Sequence, residues 1–503
     1  MVDLCLSPPL SFPEKQEPHK QKMEDNHQKP HAIMIAYPLQ GHVTPCVHLA
    51  TKLASNGFTI TFVNTEAIHH KISTAHPNSA GDDLFVEARQ SGLDIRYMTV
   101  SDGLPVEFDR NLHLDQFLDA LLHVLPVHVD ELVGKIVRNS DPPVCCLIAD
   151  TFHEFSPRIA DKYKLVNVSF WTEPALVFTL YYHLDLLRSN GHFDSINGNR
   201  KDNIDYIPGV RSIEPKDLMS FLQEIDTSTG LHRMIFKSFE EVKRADFIIC
   251  NTVEEFECET ISALHKKQPT FAIGPIFPTS FTKSIVATSL WSESDCTQWL
   301  NTKSRGSVLY VSFGSLANVS KKDIVEIAHG LLLSRVNFIW VLRPNIVSSV
   351  ESYSLPVGFE DDIKDKGLIL PWCSQIAVIS HPSIGGFLTH CGWNSILESI
   401  KCAVPLLCFP LFTDQLTNRK LVVDDWRIGI NLCDKNSITR QEVAEKINHL
   451  MGGKSADELR KLIKKVKRTM ESALAIDGSS EKNFNQFIQD VKVKIQENNG
   501  VAK

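Results

Sequence analysis

Residues 372–398 read WCSQIAVISHPSIGGFLTHCGWNSILE, a stretch in which two tryptophans, two histidines, Asn-Ser and one glutamate interrupt an apolar background. The strand-like apolar run stops at Thr389 and helical periodicity begins near Gly392, so His390, Gly392, Trp393, Asn394 and Ser395 fall at a strand-to-helix turn. Free backbone N–H groups gather at such a turn. They favour an anion by roughly 0.3–2 kcal/mol, and a glycine lets a phosphate approach the backbone closely. The side chains of His390, Asn394 and Ser395 add donors. A capped helix with a packing glycine has the same appearance, so the turn alone does not decide. Trp372 ends the preceding strand at the same sheet edge, where an indole stacks on a flat base for roughly 1–3 kcal/mol. Glu398 lies one helical turn beyond Asn394 on the same face, where a carboxylate can accept both hydroxyls of a ribose. Stacker, diphosphate donors and diol acceptor jointly suggest a nucleoside diphosphate laid across a strand edge.

The elements that must hold these residues are legible in the patterning. The 503 residues exceed one ordinary core and imply two globular units plus extensions. With 43% apolar and 22% charged residues, the chain is an ordinary globular sequence, and its net charge of −8 argues against nucleic acid as a partner. No apolar run reaches membrane-spanning length, and the 12 cysteines lack paired CxxC spacing, so a reduced, cytoplasmic protein is expected. HAIMIAYPLQGHVTPCVHLATKLASNGFTITFVNT reads as strand, turn, helix, turn and strand, and VCCLIADTF (144–152) and LVNVSFWT (165–172) as further buried strands. The alternation restarts with SVLYVSFGS (307–315), NFIWVL (337–342), GLILPW (367–372), IGGFLTH (384–390) and VPLLCFP (404–410). The fold class is therefore α/β, with two facing Rossmann-like halves and a ligand crevice between the carboxyl ends of their strands. The expected boundaries are a disordered tail over 1–28, a first domain over 29–275, a linker over 276–304, a second domain over 305–478, a helix over 479–495 packing back across both, and a tail over 496–503. Ser479 or Ser480 is expected to cap that helix.

Residues 372–415 resemble the 44-residue signature box of plant family 1 UDP-sugar glycosyltransferases. Gln375, His381, GGFLTHCGWNS, Glu398, Pro405, Pro410, Asp414 and Gln415 all keep the family spacing, and similarity extends over about residues 30–495. The resemblance implies two facing Rossmann-like domains of the GT-B type. It further implies that Trp372 stacks on uracil beside Cys373, that Gln375 and Glu398 hold ribose, and that His390, Gly392, Trp393, Asn394 and Ser395 surround the diphosphate. Asp414 and Gln415 would hold sugar hydroxyls, and a glutamine at the end of the box goes with UDP-glucose as co-substrate. Two positions depart from the pattern: Ala403 stands where glycine is usual and Phe409 where tryptophan is common.

By the same resemblance, His42 in LQGHVTP is the catalytic base and Asp150 in LIADTF its partner. The chemistry is apt, because imidazole can take a proton near neutral pH and needs an acceptor to fix its tautomer. A helix cap is the plainer reading of Asp150. The implied reaction is direct displacement at the anomeric carbon, giving a β-glucoside, with Ser315 in SFGS as a further donor to the leaving group and Thr172 touching the sugar. Phe152, His153, Trp171 and Tyr181 are the candidate acceptor contacts and suggest a flat or apolar small molecule such as a phenolic or terpenoid alcohol. Neither a metal nor another cofactor is expected, and the chain is expected to act as a monomer. A UDP-sugar epimerase or hydrolase and a non-catalytic nucleotide-binding protein remain as alternatives. A nicotinamide enzyme is disfavoured because LQGHVTP has one glycine where a dinucleotide turn has three.

Overall fold

Strand β1 (His31–Ile35) begins a sheet whose later members are β2 (Thr59–Thr65), β3 (Ile95–Val100), β4 (Val144–Asp150), β5 (Val166–Trp171), β6 (Phe247–Cys250) and β7 (Thr270–Ala272). A second sheet holds β8 (Val308–Ser312), β9 (Asn337–Val341), β10 (Gly367–Leu370), β11 (Ile384–Thr389), β12 (Leu406–Cys408) and β13 (Gly429–Asn431). The structure, a computed structural model, describes residues 29–77, 83–195, 198–278, 280–282, 284–344, 346–347, 355–433 and 437–500. The tail expected over 1–28 and residues 501–503 of the tail expected over 496–503 lie outside these.

Every pairing within the two sheets is parallel, in the orders β3-β2-β1-β4-β5-β6-β7 and β10-β9-β8-β11-β12-β13. Parallel strands are covered on both faces, which is why VCCLIAD and VLYVS are nearly continuous apolar runs rather than alternating ones. Successive side chains still divide between the faces. Ile33, Ile35, Leu147 and Ala149 join one buried cluster, and Ala32, Met34, Cys146 and Ile148 join another. In each sheet the strand order reverses at one place, between β1 and β4 and between β8 and β11, and ligand crevices form at such switch points.

β3, β6 and β13 carry no clear strand signal in the sequence. β3 is an edge strand and only partly buried, and β6 and β13 are only four and three residues long. Between β7 and β8 the described residues are irregular apart from one helical turn, Thr297–Asn301.

The C-terminal helix, Ser479–Gly500, buries Phe484, Phe487, Ile488 and Val491 against the first half, each worth on the order of 1.5–3 kcal/mol. Neither serine caps it. Ser479 Oγ donates to Glu255 Oε2 (2.8 Å) and Ser480 Oγ to Gly274 O (2.6 Å), while the Gly478 carbonyl receives Lys482 N–H. The hydroxyls are spent on tying the helix to the first half, and the helix continues past residue 495 to Gly500.

Candidate active site

A cavity of 760 Å³ lies between the carboxyl ends of the two sheets and is lined from both halves. After β1 the chain turns into the helix Gln40–Ser55 with His42 in its first turn, β4 ends on Asp150, and Thr172 and Glu173 follow β5. From the other half, Ser315 follows β8, Trp372 follows β10, His390 follows β11, and Asp414 precedes the helix Gln415–Lys420.

His42 Nδ1–H donates to Asp150 Oδ2 at 2.8 Å, and Thr172 Oγ1 stands 3.0 Å from the same nitrogen. That bond fixes the tautomer and leaves Nε2 as the atom able to take a proton. Asp150 is held in turn, because its Oδ1 accepts Phe152 N–H (3.0 Å), and the carboxylate is 1% exposed. The imidazole sits among Tyr37 and Phe152, with centroids 5.2 and 5.8 Å away. A histidine oriented by a buried carboxylate at the edge of a cavity is equipped for general-base work.

Across the cavity, the His390 ring fills the space that side chains on its glycine neighbours would occupy. A Cβ at Gly392 would lie 2.6 Å from the ring and one at Gly314, whose φ is +71°, only 2.7 Å. Burial, with Arg343 nearby, lowers His390 to about 4, so the ring is neutral at physiological pH. The helix Trp393–Cys402 starts here, with its first N–H groups at the cavity.

Asn394 shows how the halves are joined. Pro45 has no N–H to give the Gly41 carbonyl four residues earlier, and that carbonyl instead receives Asn394 Nδ2–H from the opposite half at 2.8 Å. The amide expected at a diphosphate thus serves as a cross-cleft bond. Trp393 makes a second one, its buried Nε1–H donating to Asn251 O at 2.8 Å, although its ring also borders the cavity. Gln375 Nε2 donates both to Ser395 Oγ (2.9 Å) and to Glu398 Oε2 (2.7 Å). Among the described residues only that amide offsets the burial of Glu398, and its carboxyl is pushed up to about 7. Trp372 is 9% exposed rather than open, its ring 6.1 Å from Trp291 and tilted by 32°. Cys373 is buried beside it, and Ser315 and Gln415 also line the cavity. Gln415 Oε1 accepts Leu411 and Phe412 N–H, while Asp414 accepts from Thr413 Oγ1 and Asn418 Nδ2.

Phe152 and Tyr181 line the apolar end of the cavity. His153 and Trp171 do not, which corrects their expected role. His153 is 3% exposed and hydrogen-bonds Ala36 O, and Trp171 is 1% exposed, donates to Pro174 O at 2.8 Å and packs on Phe178 and Phe239. Trp171 ends β5, where side chains alternate between faces, and His153 lies in the turn after β4; both are packed into the layer behind the cavity. The wall is completed by Tyr37, Phe117, Leu118, Phe221, Met234 and Ile235, which sequence reading passed over. Their segments are amphipathic helices or short turns with no chemical marker, and only the fold brings them together. Glu173 was also passed over, although a charge inside FWTEPALVF was a signal.

Among the described residues, none lining the cavity is a lysine or arginine, and no group of three or more His, Cys, Asp or Glu side chains is disposed to hold a metal ion. No described helix is long and apolar enough to cross a membrane.

Comparison with known proteins agrees with this geometry. Residues 275–465 match the family model described as UDP-glucoronosyl and UDP-glucosyl transferase. The chain is 62% identical over 473 residues to UDP-glycosyltransferase 86A1 of Arabidopsis thaliana, covering 93% of this chain and 96% of that one. It is 34% identical over 493 residues to 7-deoxyloganetin glucosyltransferase of Catharanthus roseus, covering 93% and 98%. A UDP-glucosyltransferase from Polygonum tinctorium capable of glucosylating indoxyl, solved with 3,4-dichloroaniline, superimposes with a TM-score of 0.73 at 26% identity, covering 92% of this chain and 99% of that one.

Proposed function

This chain belongs to the UDP-glycosyltransferases, and we propose that it transfers glucose from UDP-glucose, with inversion, to a hydroxyl of a small, largely apolar acceptor. The observation that carries this reading is that the His42–Asp150 pair of one half and the strand-to-helix turn of the other open onto a single cavity.

In this account uracil lies on Trp372, Glu398 accepts the ribose hydroxyls, and the diphosphate meets the N–H groups at the start of the helix Trp393–Cys402. With no lysine or arginine among the described residues of the lining, that helix start is the main positive end these residues offer the leaving group. Asp414, Gln415 and Thr172 hold the hexose. His42 Nε2 removes the acceptor hydroxyl proton as the oxygen attacks the anomeric carbon. The C–O bond to the phosphate breaks on the opposite face, and UDP leaves with the bonding pair. Asp150 stabilises the imidazolium. Attack from one face and departure from the other converts an α-linked donor into a β-glucoside.

Glucose is favoured over other hexoses by Gln415 and by the relatives from Catharanthus and Polygonum, both named as glucosyltransferases. Tyr37, Phe152, Phe221 and Met234 make one end of the cavity apolar, which suits a phenolic or terpenoid alcohol. The unpaired cysteines accord with action in the cytoplasm.

The test is incubation with UDP-glucose and a mixed phenolic and terpenoid panel, scored by mass for addition of one hexose. Gain of one hexose with stoichiometric UDP release is expected. UDP release or a new sugar nucleotide at the same rate without any acceptor would contradict transfer and favour a hydrolase or epimerase.

A further inference from the structure

Glu173 lines the cavity directly after Thr172, the residue proposed to touch the sugar. The backbone around it is fixed from both sides. Glu257 accepts Ala175 N–H (3.1 Å) and Leu176 N–H (2.7 Å), so it takes the capping role at the following helix, and Trp171 Nε1–H holds Pro174 O. Glu173 therefore has no local task. Among the described residues its carboxyl has neither a hydrogen-bond nor an ion-pair partner, and it borders the cavity within reach of the charge of Asp414.

Its ionisable neighbours in the cavity are mainly carboxyls, with histidines beside them. Glu173, Asp414, Glu293 and Glu398 all line the cavity, Asp150 lies behind His42, and among the described residues no lysine or arginine lines it. We infer that Glu173 sets the acceptor class: the cleft takes a hydroxyl compound whose second polar group is cationic or hydrogen-bond-donating, and it rejects carboxylic acids. This rests on the glycosyltransferase reading above.

The electrostatics agree with that geometry. Burial and the negative charges of Asp414 and Asp150 hold the Glu173 carboxyl well above the ordinary carboxylate range. A carboxylate brought in on an acceptor would meet the same field and lose its hydration with no cation in return. An ammonium meets the opposite balance. Its approach lets Glu173 ionise and form a charge-assisted hydrogen bond.

The experiment is calorimetric titration of UDP-saturated protein with three phenols of similar size: tyramine, 4-ethylphenol and 4-hydroxyphenylacetate. Wild-type protein should bind tyramine at least as tightly as 4-ethylphenol and bind 4-hydroxyphenylacetate about tenfold or more weakly. Glu173→Gln, which keeps the shape and cannot ionise, should lower the tyramine-to-ethylphenol affinity ratio about tenfold. Glu173→Ala repeats the comparison if the glutamine variant fails to bind UDP. The inference is overturned if wild-type protein does not bind tyramine at millimolar concentration, binds the carboxylate as tightly, or keeps the same affinity ratio in the variants. Loss of UDP binding by the wild-type protein would instead overturn the glycosyltransferase reading, so the two failures are distinguishable.

Discussion

Replacing Glu398 with glutamine separates two effects that share one carboxyl. In the ligand-free protein that carboxyl is pushed from 4.5 to about 7 by burial, with the Gln375 amide as its one offsetting hydrogen bond. Below about pH 4.5 folded and unfolded chains both hold the proton. Between about 4.5 and 7 only the folded chain does, so stability falls as pH rises through this window and levels off above it. The displacement corresponds to at most about 3 kcal/mol, less whatever residual solvent contact screens. Glu398→Gln removes that slope, and the variant should melt higher than wild type near pH 8. Binding of UDP should change in the opposite sense. On the proposed role, in which ribose hydroxyls donate to the ionised carboxyl, wild-type affinity should rise as pH passes about 7, whereas the variant should lose two charge-assisted bonds and about 10- to 100-fold in affinity. Thermal melts and UDP calorimetry of both proteins across this pH range supply the comparison. Identical melting profiles, or equal UDP affinity near pH 8, would refute the assigned environment and role of Glu398.

His42→Ala should lower turnover by about 10²–10⁴-fold while UDP still binds, and Asp150→Asn should fall in the same range through loss of the Nδ1–H acceptor, both read by UDP release under saturating acceptor. Trp393→Phe leaves the buried Asn251 carbonyl without its cross-cleft donor and should cost about 1–3 kcal/mol in a denaturant melt; an unchanged midpoint would contradict that accounting. Ala403→Gly should stabilise the protein by about 0.5–1 kcal/mol in the same assay, because Ala403 ends its helix at φ +56°, a left-handed conformation that costs an L-residue more than glycine.

What could be read from the sequence followed from how local each signal was. The apolar runs of β1, β4, β5, β8 and β11 are buried on both faces and announce themselves, and His42, Asp150, Thr172, Ser315 and His390 lie at their carboxyl ends or just beyond. The 372–415 segment was legible because stacker, helix start and carboxylate are consecutive along the chain. Ala403 was seen as a departure from glycine, and its left-handed backbone gives the physical reason glycine is usual there. The cross-cleft bonds were not legible, since Pro45 freeing the Gly41 carbonyl for Asn394 joins residues 353 apart in sequence. His153 and Trp171 were misjudged because proximity along the chain to Asp150 and Thr172 does not say which face a side chain takes. The apolar wall of Phe117, Phe221, Met234 and Ile235 comes from three separate segments whose patterns report only helix and burial.

The most direct measurement is a crystal structure of this protein with UDP-glucose and its unreacted fluorinated analogue. Density should show uracil against Trp372, the diphosphate at residues 390–395, and the hexose between Asp414 and His42 with its anomeric carbon open toward Nε2. A nucleotide seated away from the second sheet's strand edge, or a hexose directed away from His42, would contradict the account.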